Sequence, residues 1–118
     1  MIPKFRAWDK IRNRISEVER IYIDTKGVRL RDENGEYWRR FDDVILMQST
    51  GLVDKNGKEI FEGDIVRMHS GELLPVKLHH GMFEPVCYYA SRAFGRVGNV
   101  FENPELLEHP DFREEIND

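Results

Sequence analysis

The sequence predicts a mainly β protein of antiparallel meanders and small barrel-like sheets, in two subdomains, with a short helix at the C-terminal end. Three observations carry this expectation. Apolar residues alternate with polar ones in short runs, the period of a half-buried strand. Turn-forming residues interrupt those runs at the roughly 8–12-residue spacing of antiparallel sandwiches and barrels. No stretch sustains the helical period that a parallel crossover connection needs.

The run Lys4-Phe5-Arg6-Ala7 opens a strand with Phe5 and Ala7 on one face and Lys4 and Arg6 on the other, and Trp8-Asp9 closes into a turn. Further strands are expected around Val18, around Ile21 and Ile23, around Val28 and Leu30, and around Tyr37. Asp24-Thr25-Lys26-Gly27 and Asp32-Glu33-Asn34-Gly35 read as hairpin connections, because Asn, Asp and Gly accept positive φ at low steric cost. Asp42-Asp43 can cap a helical turn over Val44 to Met47, but β-branched Val44 and Ile45, followed by Thr50, favour a strand through Val44 and Leu46.

Asp54-Lys55-Asn56-Gly57 is the next turn, and it leads into a strand from Glu59 to Val66. Gly63 beside Asp64 there suggests a bulge or a bend at a barrel corner. Ser70-Gly71 marks another turn, with strand signals at Ile65, Val76, Leu78 and Val86. Near the end, Asn103 suits an N-cap, Pro104 the first helical position and Glu105 the positive end of the helix dipole, with Leu106 and Leu107 facing inward. Beyond Pro110, Phe112 and Ile116 stand four apart, one apolar stripe beside an acidic face.

The whole chain, 1–118, is expected to be one domain with internal subdomains: 1–53, a basic β part; 54–103, an acidic small-barrel-like part; and 104–118, a helical acidic tail. Met1 to Phe41 holds 11 Lys and Arg against 7 Asp and Glu, a balance of +4, while Asp42 onward holds 7 against 15, a balance of −8. Opposite signs steer an anionic partner to the first half, or draw two copies, or two subdomains, together.

Cys87 is the lone cysteine, which excludes an internal disulfide and a thiolate zinc cage and fits a reducing, cytoplasmic setting. Met1 to Lys10 carries charge without an apolar stretch, so no secretory leader is expected, and no run approaches membrane-spanning length. There is no Walker loop, no dinucleotide fingerprint, no His-Glu-x-x-His and no nucleophile elbow. No cofactor is expected and no catalytic residue is assigned.

Four ordered segments resemble the hallmark blocks of the YopX family. They are Lys4-Phe5-Arg6-Ala7-Trp8-Asp9, Leu46-Met47-Gln48-Ser49-Thr50-Gly51-Leu52, the run from Asp54 through Gly63-Asp64-Ile65-Val66, and Gly98-Asn99-Val100-Phe101-Glu102-Asn103-Pro104-Glu105-Leu106-Leu107. Ser49 departs from an expected aromatic, Val53 from a common lysine, and Ile11 to Ile15 from a more polar turn. The resemblance implies a phage or prophage setting, hence a host-cell cytoplasm, and a predominantly β fold; it brings no catalytic residues with it.

Two sets of residues are candidates for binding. Lys4, Arg6, Arg12, Arg14, Arg29, Arg31, Arg39 and Arg40, with Trp8, Tyr22, Tyr37 and Trp38 for stacking, have the residue types of a single-strand nucleic-acid surface. The plainer reading of the first block is a core strand with a solvated rim. Phe112 and Ile116 are the candidate partner-binding stripe. Glu59, Glu62 and Asp64 raise a hard-cation site, but alternating carboxylates are also what a solvated strand face carries. His79 and His80 would face opposite sides of one strand and so ligate no common ion, with one at the surface and the other half-buried before Gly81. Cys87 reads as a small core hydrophobe.

The expected function is therefore that of a phage or prophage accessory protein acting through protein contact or self-assembly, as a homo-oligomer or on a phage or host protein. A nucleic-acid-binding module using the basic half is the alternative, and a metal-dependent hydrolase the third reading.

Overall fold

The computed structural model of the protein describes residues 4–108. Its strands are β1 (Phe5–Asp9), β2 (Arg14–Tyr22), β3 (Gly27–Asp32), β4 (Gly35–Arg40), β5 (Val44–Val53), β6 (Glu59–Phe61), β7 (Asp64–Met68), β8 (Leu73–Pro75), β9 (Lys77–His79), β10 (Met82–Glu84) and β11 (Phe94–Asn99). The helical pieces are single 3-10 turns at Phe41–Asp43, Val86–Tyr88, Ser91–Ala93 and Pro104–Glu108. Two compact units divide the chain, one up to Ser49 and one from Thr50.

The mainly β, antiparallel expectation holds. Strands β1 to β6 form one sheet in the order β4-β3-β2-β1-β5-β6, in which the end of β5 and all of β6 belong to the second unit. Within the first unit the predicted turns sit at the hairpin tips, with Lys26 (φ 55°) closing β2 to β3 and Gly35 (φ 116°) closing β3 to β4. The β1–β2 tip uses Asn13 (φ 55°), while Asp9 Oδ1 accepts the backbone N–H of Ile11 at 2.9 Å. Ala7, Val28, Leu30 and Val44 form the core of this unit, with Val18, Ile21, Tyr37, Phe41 and Leu46 against them. Asp42-Asp43 form a 3-10 turn before β5 rather than a helix over Val44 to Met47, because the β-branched pair continues as strand.

One irregularity decides what this unit shows to solvent. Between β2 and β3, Val18 pairs with Leu30 and Arg20 with Arg29, so Glu19 is an extra, unmatched residue. That bulge lets Val18 and Ile21, three apart, both turn inward and sends Arg20 outward.

In the second unit β11, β7 and β8 form a sheet in that order, and β9 and β10 form a separate two-stranded hairpin. Ile60, Val66, Met68, Val76, Val86 and Phe94 make the core, flanked by Leu74, Phe83 and Ala93. Three buried polar side chains organise the connections. Asp54 Oδ1 accepts the N–H of Asn56 and of Lys58, each at 2.9 Å, and its Oδ2 accepts that of Arg96 at 2.8 Å. Asp64 accepts the Phe61 N–H at 2.8 Å and Arg96 Nε at 3.1 Å. Asn99 Oδ1 accepts the N–H groups of Phe101 and Glu102.

Several expectations are corrected here. The sheets stay open, and no barrel closes. Gly63 (φ 89°) is not inside a strand; it turns β6 into β7, so Glu59 to Val66 is two strands. Val76 lies between β8 and β9, its N–H donated to the Asp64 carbonyl at 2.8 Å and its carbonyl accepting the Gly63 N–H at 2.9 Å, and Val86 lies in a 3-10 turn; both side chains are in the core. Asn103 spends its Oδ1 on the Asn99 N–H at 3.1 Å, so Pro104–Glu108 is a short 3-10 turn without that side-chain cap.

Candidate functional site

The predicted basic set does not assemble into one cationic surface. Arg12 Nη1 lies 3.1 Å from Asp32 and Arg14 Nη2 2.6 Å from Glu33. Arg31 is claimed by Glu19 and, at 2.9 Å, by Glu36. Such exposed pairs add little stability, but they cancel the charge a phosphate would read. Arg6 is buried, with Nη2 directed at Met47 Sδ at 3.6 Å, and Trp8 is half-buried between Ile15 and Ile45. Lys4 is exposed ahead of β1.

Arg39 lies on the inner face, where its Nε meets Asp9 Oδ1 at 3.1 Å. Tyr37 donates to Asp9 Oδ2 at 3.0 Å, and its oxygen lies 2.6 Å from Ser16 Oγ. The guanidiniums of Arg12 and Arg39 sit over the Tyr37 ring at 4.4 and 4.7 Å. Burial acts to raise the Asp9 pKa, but Arg39, the Ile11 and Arg12 N–H groups and Tyr37 outweigh it and hold the carboxyl below its ordinary value. Burial is also the main reason that the Tyr37 hydroxyl is pushed up. This network locks the sheet; its donors and acceptors are used on one another.

The outer face of the same strands is different. Register places Arg20, Arg29 and Trp38 in one row and Tyr22, Gly27 and Arg40 in the next. Trp38 leans over Gly27, where a Cβ would come within 2.0 Å of the indole Cζ2, and its ring centroid is 5.4 Å from that of Tyr22. Arg29 has only a loose 3.9 Å approach to Glu36. Of the predicted set, Arg29 and Arg40 belong to this patch. Arg20 was missed, and the signal that could have found it is the three-residue spacing of Val18 and Ile21, which requires a bulge.

In the second unit the predicted carboxylates separate. Asp64 is fully buried and bonded to Arg96, not on a solvated face with Glu62. Among the described residues no three of His, Cys, Asp and Glu gather as a metal-binding group. His79 and His80 are both exposed, contrary to the half-buried expectation, because His80 takes positive φ (53°) at the hairpin tip. Their rings meet edge to face, 4.1 Å apart. Cys87 is half-buried in its 3-10 turn.

That hairpin, β9–β10, is an arm that pairs with no third strand among the described residues. Pairing sets Leu78 opposite Phe83 on one side, and Lys77 opposite Glu84 and His79 opposite Met82 on the other. Phe83 anchors the inner side to the core. Leu78, on the Phe83 side, is 45% exposed and Met82, on the other side, 43%, while Tyr88 and Tyr89 after the hairpin are 59% and 52% exposed. Tyr88 donates to Glu84 at 2.6 Å, and His79 Nδ1 lies 3.2 Å from the same carboxylate. The Tyr88 hydrogen bond, with His79 adding to it, lowers the Glu84 pKa.

The sequence profile of the family described as YopX protein matches residues 4–108. The chain belongs to the YopX family. No curated protein matches it significantly. Among solved structures, this YopX chain is similar to protein EF1440 from Enterococcus faecalis, at 28% identity and a TM-score of 0.65, covering 91% of this chain and 99% of that one. Two of the family's blocks fall on structural devices seen above: Asp54 and Asp64 tie the second unit's turns, and Asn99 with Asn103 closes its last one. The predicted partner stripe of Phe112 and Ile116 lies outside the described residues. Among the described residues of this YopX protein, no helix is long and apolar enough to cross a membrane.

Proposed function

We propose that this YopX-family protein is a phage or prophage accessory protein of the host cytoplasm that acts by protein contact, with further copies of itself as the partner. The observation that carries the reading is the β9–β10 arm. A two-stranded hairpin is marginal by itself, and this one has no third strand among the described residues while it presents Leu78, Met82, Tyr88 and Tyr89 to solvent.

Charge supports a second copy as the occupant. The sequence up to Ser49 holds 11 Lys and Arg against 9 Asp and Glu, net +2, and the sequence from Thr50 holds 7 against 13, net −6. Opposite signs on one chain favour unlike surfaces meeting between copies. Among the described residues strand β4 pairs only with β3, so its outer edge supplies backbone groups to which an arm can add, in the manner of strand addition. A contact between unlike patches builds rings or open chains of copies.

Light scattering on the eluting full-length protein tests this. An oligomer is expected, and Leu78→Glu combined with Met82→Glu, both at exposed positions, should shift it to monomer without changing the circular dichroism spectrum. A wild-type protein that is monomeric across a concentration series sinks the reading, and an oligomer indifferent to both substitutions removes the arm from it.

A further inference from the structure

The outer face of the first unit carries a second site, independent of the arm. Its floor is the β2–β3–β4 ladder. Tyr22, Gly27 and Arg40 form one row across it and Arg20, Arg29 and Trp38 the next. The opposite faces of these strands point Ile21, Val28 and Leu30 into the core, so the row residues are held by a packed layer rather than by a loop.

Trp38 is fixed as well as exposed. The six-membered ring of its indole occupies the space that a side chain at Gly27 would fill, with Cζ2, Cη2 and Cε2 all within 2.7 Å of a Cβ placed there. Pressed onto the strand on that side, the residue still leaves 38% of its surface open. Tyr22 stands beside it at 5.4 Å between centroids and 51° between planes. Two neighbouring rings, one of them seated on the strand at Gly27 and 38% exposed, offer a stacking platform.

Cations frame the rings. Arg20 and Arg40 are exposed and have no carboxylate partner among the described residues, in contrast with Arg12, Arg14, Arg31 and Arg39. Arg29 lies between Arg20 and Trp38 in register. At the end of β4 the row opens into a cleft of about 370 Å³ lined by Thr25, Lys26, Arg40, Phe41 and Asp42. Clefts of that size accept small ligands and nucleotide units. Lys26 and Arg40 give this one a positive side, against the single carboxylate of Asp42.

Flat rings next to unpaired arginines, with a cationic cleft one row away, match a base followed by its phosphate. A duplex hides the faces of its bases, whereas a single strand offers them. We propose that this face binds single-stranded nucleic acid, with a base stacked on Trp38 and Tyr22, and backbone phosphates held by Arg20, Arg29, Arg40 and Lys26. An acidic peptide would satisfy the arginines but leave the rings idle.

The test titrates the full-length protein with oligo-dT of about 10 nucleotides, within the usual single-strand site size, following tryptophan fluorescence and anisotropy of a labelled strand. Binding should quench Trp38. The logarithm of the affinity should fall against the logarithm of salt with a slope of about −2 to −3, as expected for three or four phosphate contacts on a single strand. Trp38→Ala should weaken binding roughly 5- to 150-fold, the range of one stacked base. Arg20→Gln with Arg40→Gln, both exposed, should make the salt slope shallower by about one to two and guards against a folding defect in the tryptophan variant.

Absence of binding at low salt overturns the proposal. So does binding that neither set of substitutions weakens, since the strand would then lie elsewhere. Equal affinity for thymidine monophosphate would make the site a nucleotide pocket, tighter binding of duplex would deny the role of the rings, and equal competition by poly-glutamate would reduce the site to charge; each of these overturns it too.

Discussion

Tyr37 donates its hydroxyl hydrogen to Asp9 at 3.0 Å, from β4 at the edge of the sheet to β1, with β3 and β2 between them. With Arg39 on the other carboxylate oxygen, the fully buried Asp9 ties the edge hairpin to the middle of the sheet. Asp9→Asn keeps the shape and removes the charge, leaving the Arg39 guanidinium facing a neutral amide. We expect a loss on the order of 2–4 kcal/mol in urea unfolding, the scale for breaking a buried, hydrogen-bonded charge pair. A loss below about 0.5 kcal/mol would show that the network relaxes without it.

Acid should act through the same group and through Asp54. Burial works against ionisation at both, but hydrogen bonds to the carboxylates prevail, so each folded pKa lies below the ordinary value of 3.8. The unfolded chain therefore binds protons more readily than the folded one. The stabilisation is complete above the unfolded value and disappears as pH falls through the folded one. Urea midpoints measured downward from neutrality should stay level and then decline below about pH 5. The decline should flatten in Asp9→Asn and in Asp54→Asn.

Gly27→Ala sets a methyl group where the Trp38 indole lies. The φ of this residue is not the obstacle; the ring is. A cost of about 1–3 kcal/mol is expected from overpacking, together with a red-shifted tryptophan emission as the indole lifts into water. Unchanged emission would mean that the ring finds a second seat on the strand.

Asp54→Ala should loosen the second unit at two distant places in sequence. The carboxylate holds the turn amides of Asn56 and Lys58 on one oxygen and the β11 amide of Arg96 on the other. Hydrogen exchange should accelerate at all three amides, with a stability loss of about 2–3 kcal/mol. Acceleration confined to the turn would show that β11 does not depend on this link.

Much of the sheet was legible because alternation and turn chemistry act locally. Gly35, Gly57 and Gly71 take the positive φ that the turn residues announce, whereas in the first turn Lys26 rather than Gly27 takes it. Pairing across long sequence distances was not legible. Asp64 looked like one of a set of solvated carboxylates, and Arg96, 32 residues on, together with the Phe61 N–H makes it a buried anchor. The basic residues posed the same difficulty: Arg12, Arg14 and Arg31 find their carboxylates on neighbouring hairpins, so a count of arginines overstated the available charge. The arm escaped notice for another reason. Leu78 and Met82 carry an ordinary strand pattern, and nothing in alternation says that both stay uncovered, one on each face.

The unmatched Glu19 gives β2 an unusual freedom in length. Losing one residue from a strand ordinarily swaps its inner and outer sides, with ruinous results. Here the deletion of Glu19 would leave Val18 inward, Arg20 outward and Ile21 inward in plain succession, at the expense of one surface ion pair with Arg31. A shortened gene copy lacking that codon should still yield a folded protein, whereas removing Val18 or Ile21 should not. Natural variation in chain length within this hairpin is thus most easily accommodated at a single position.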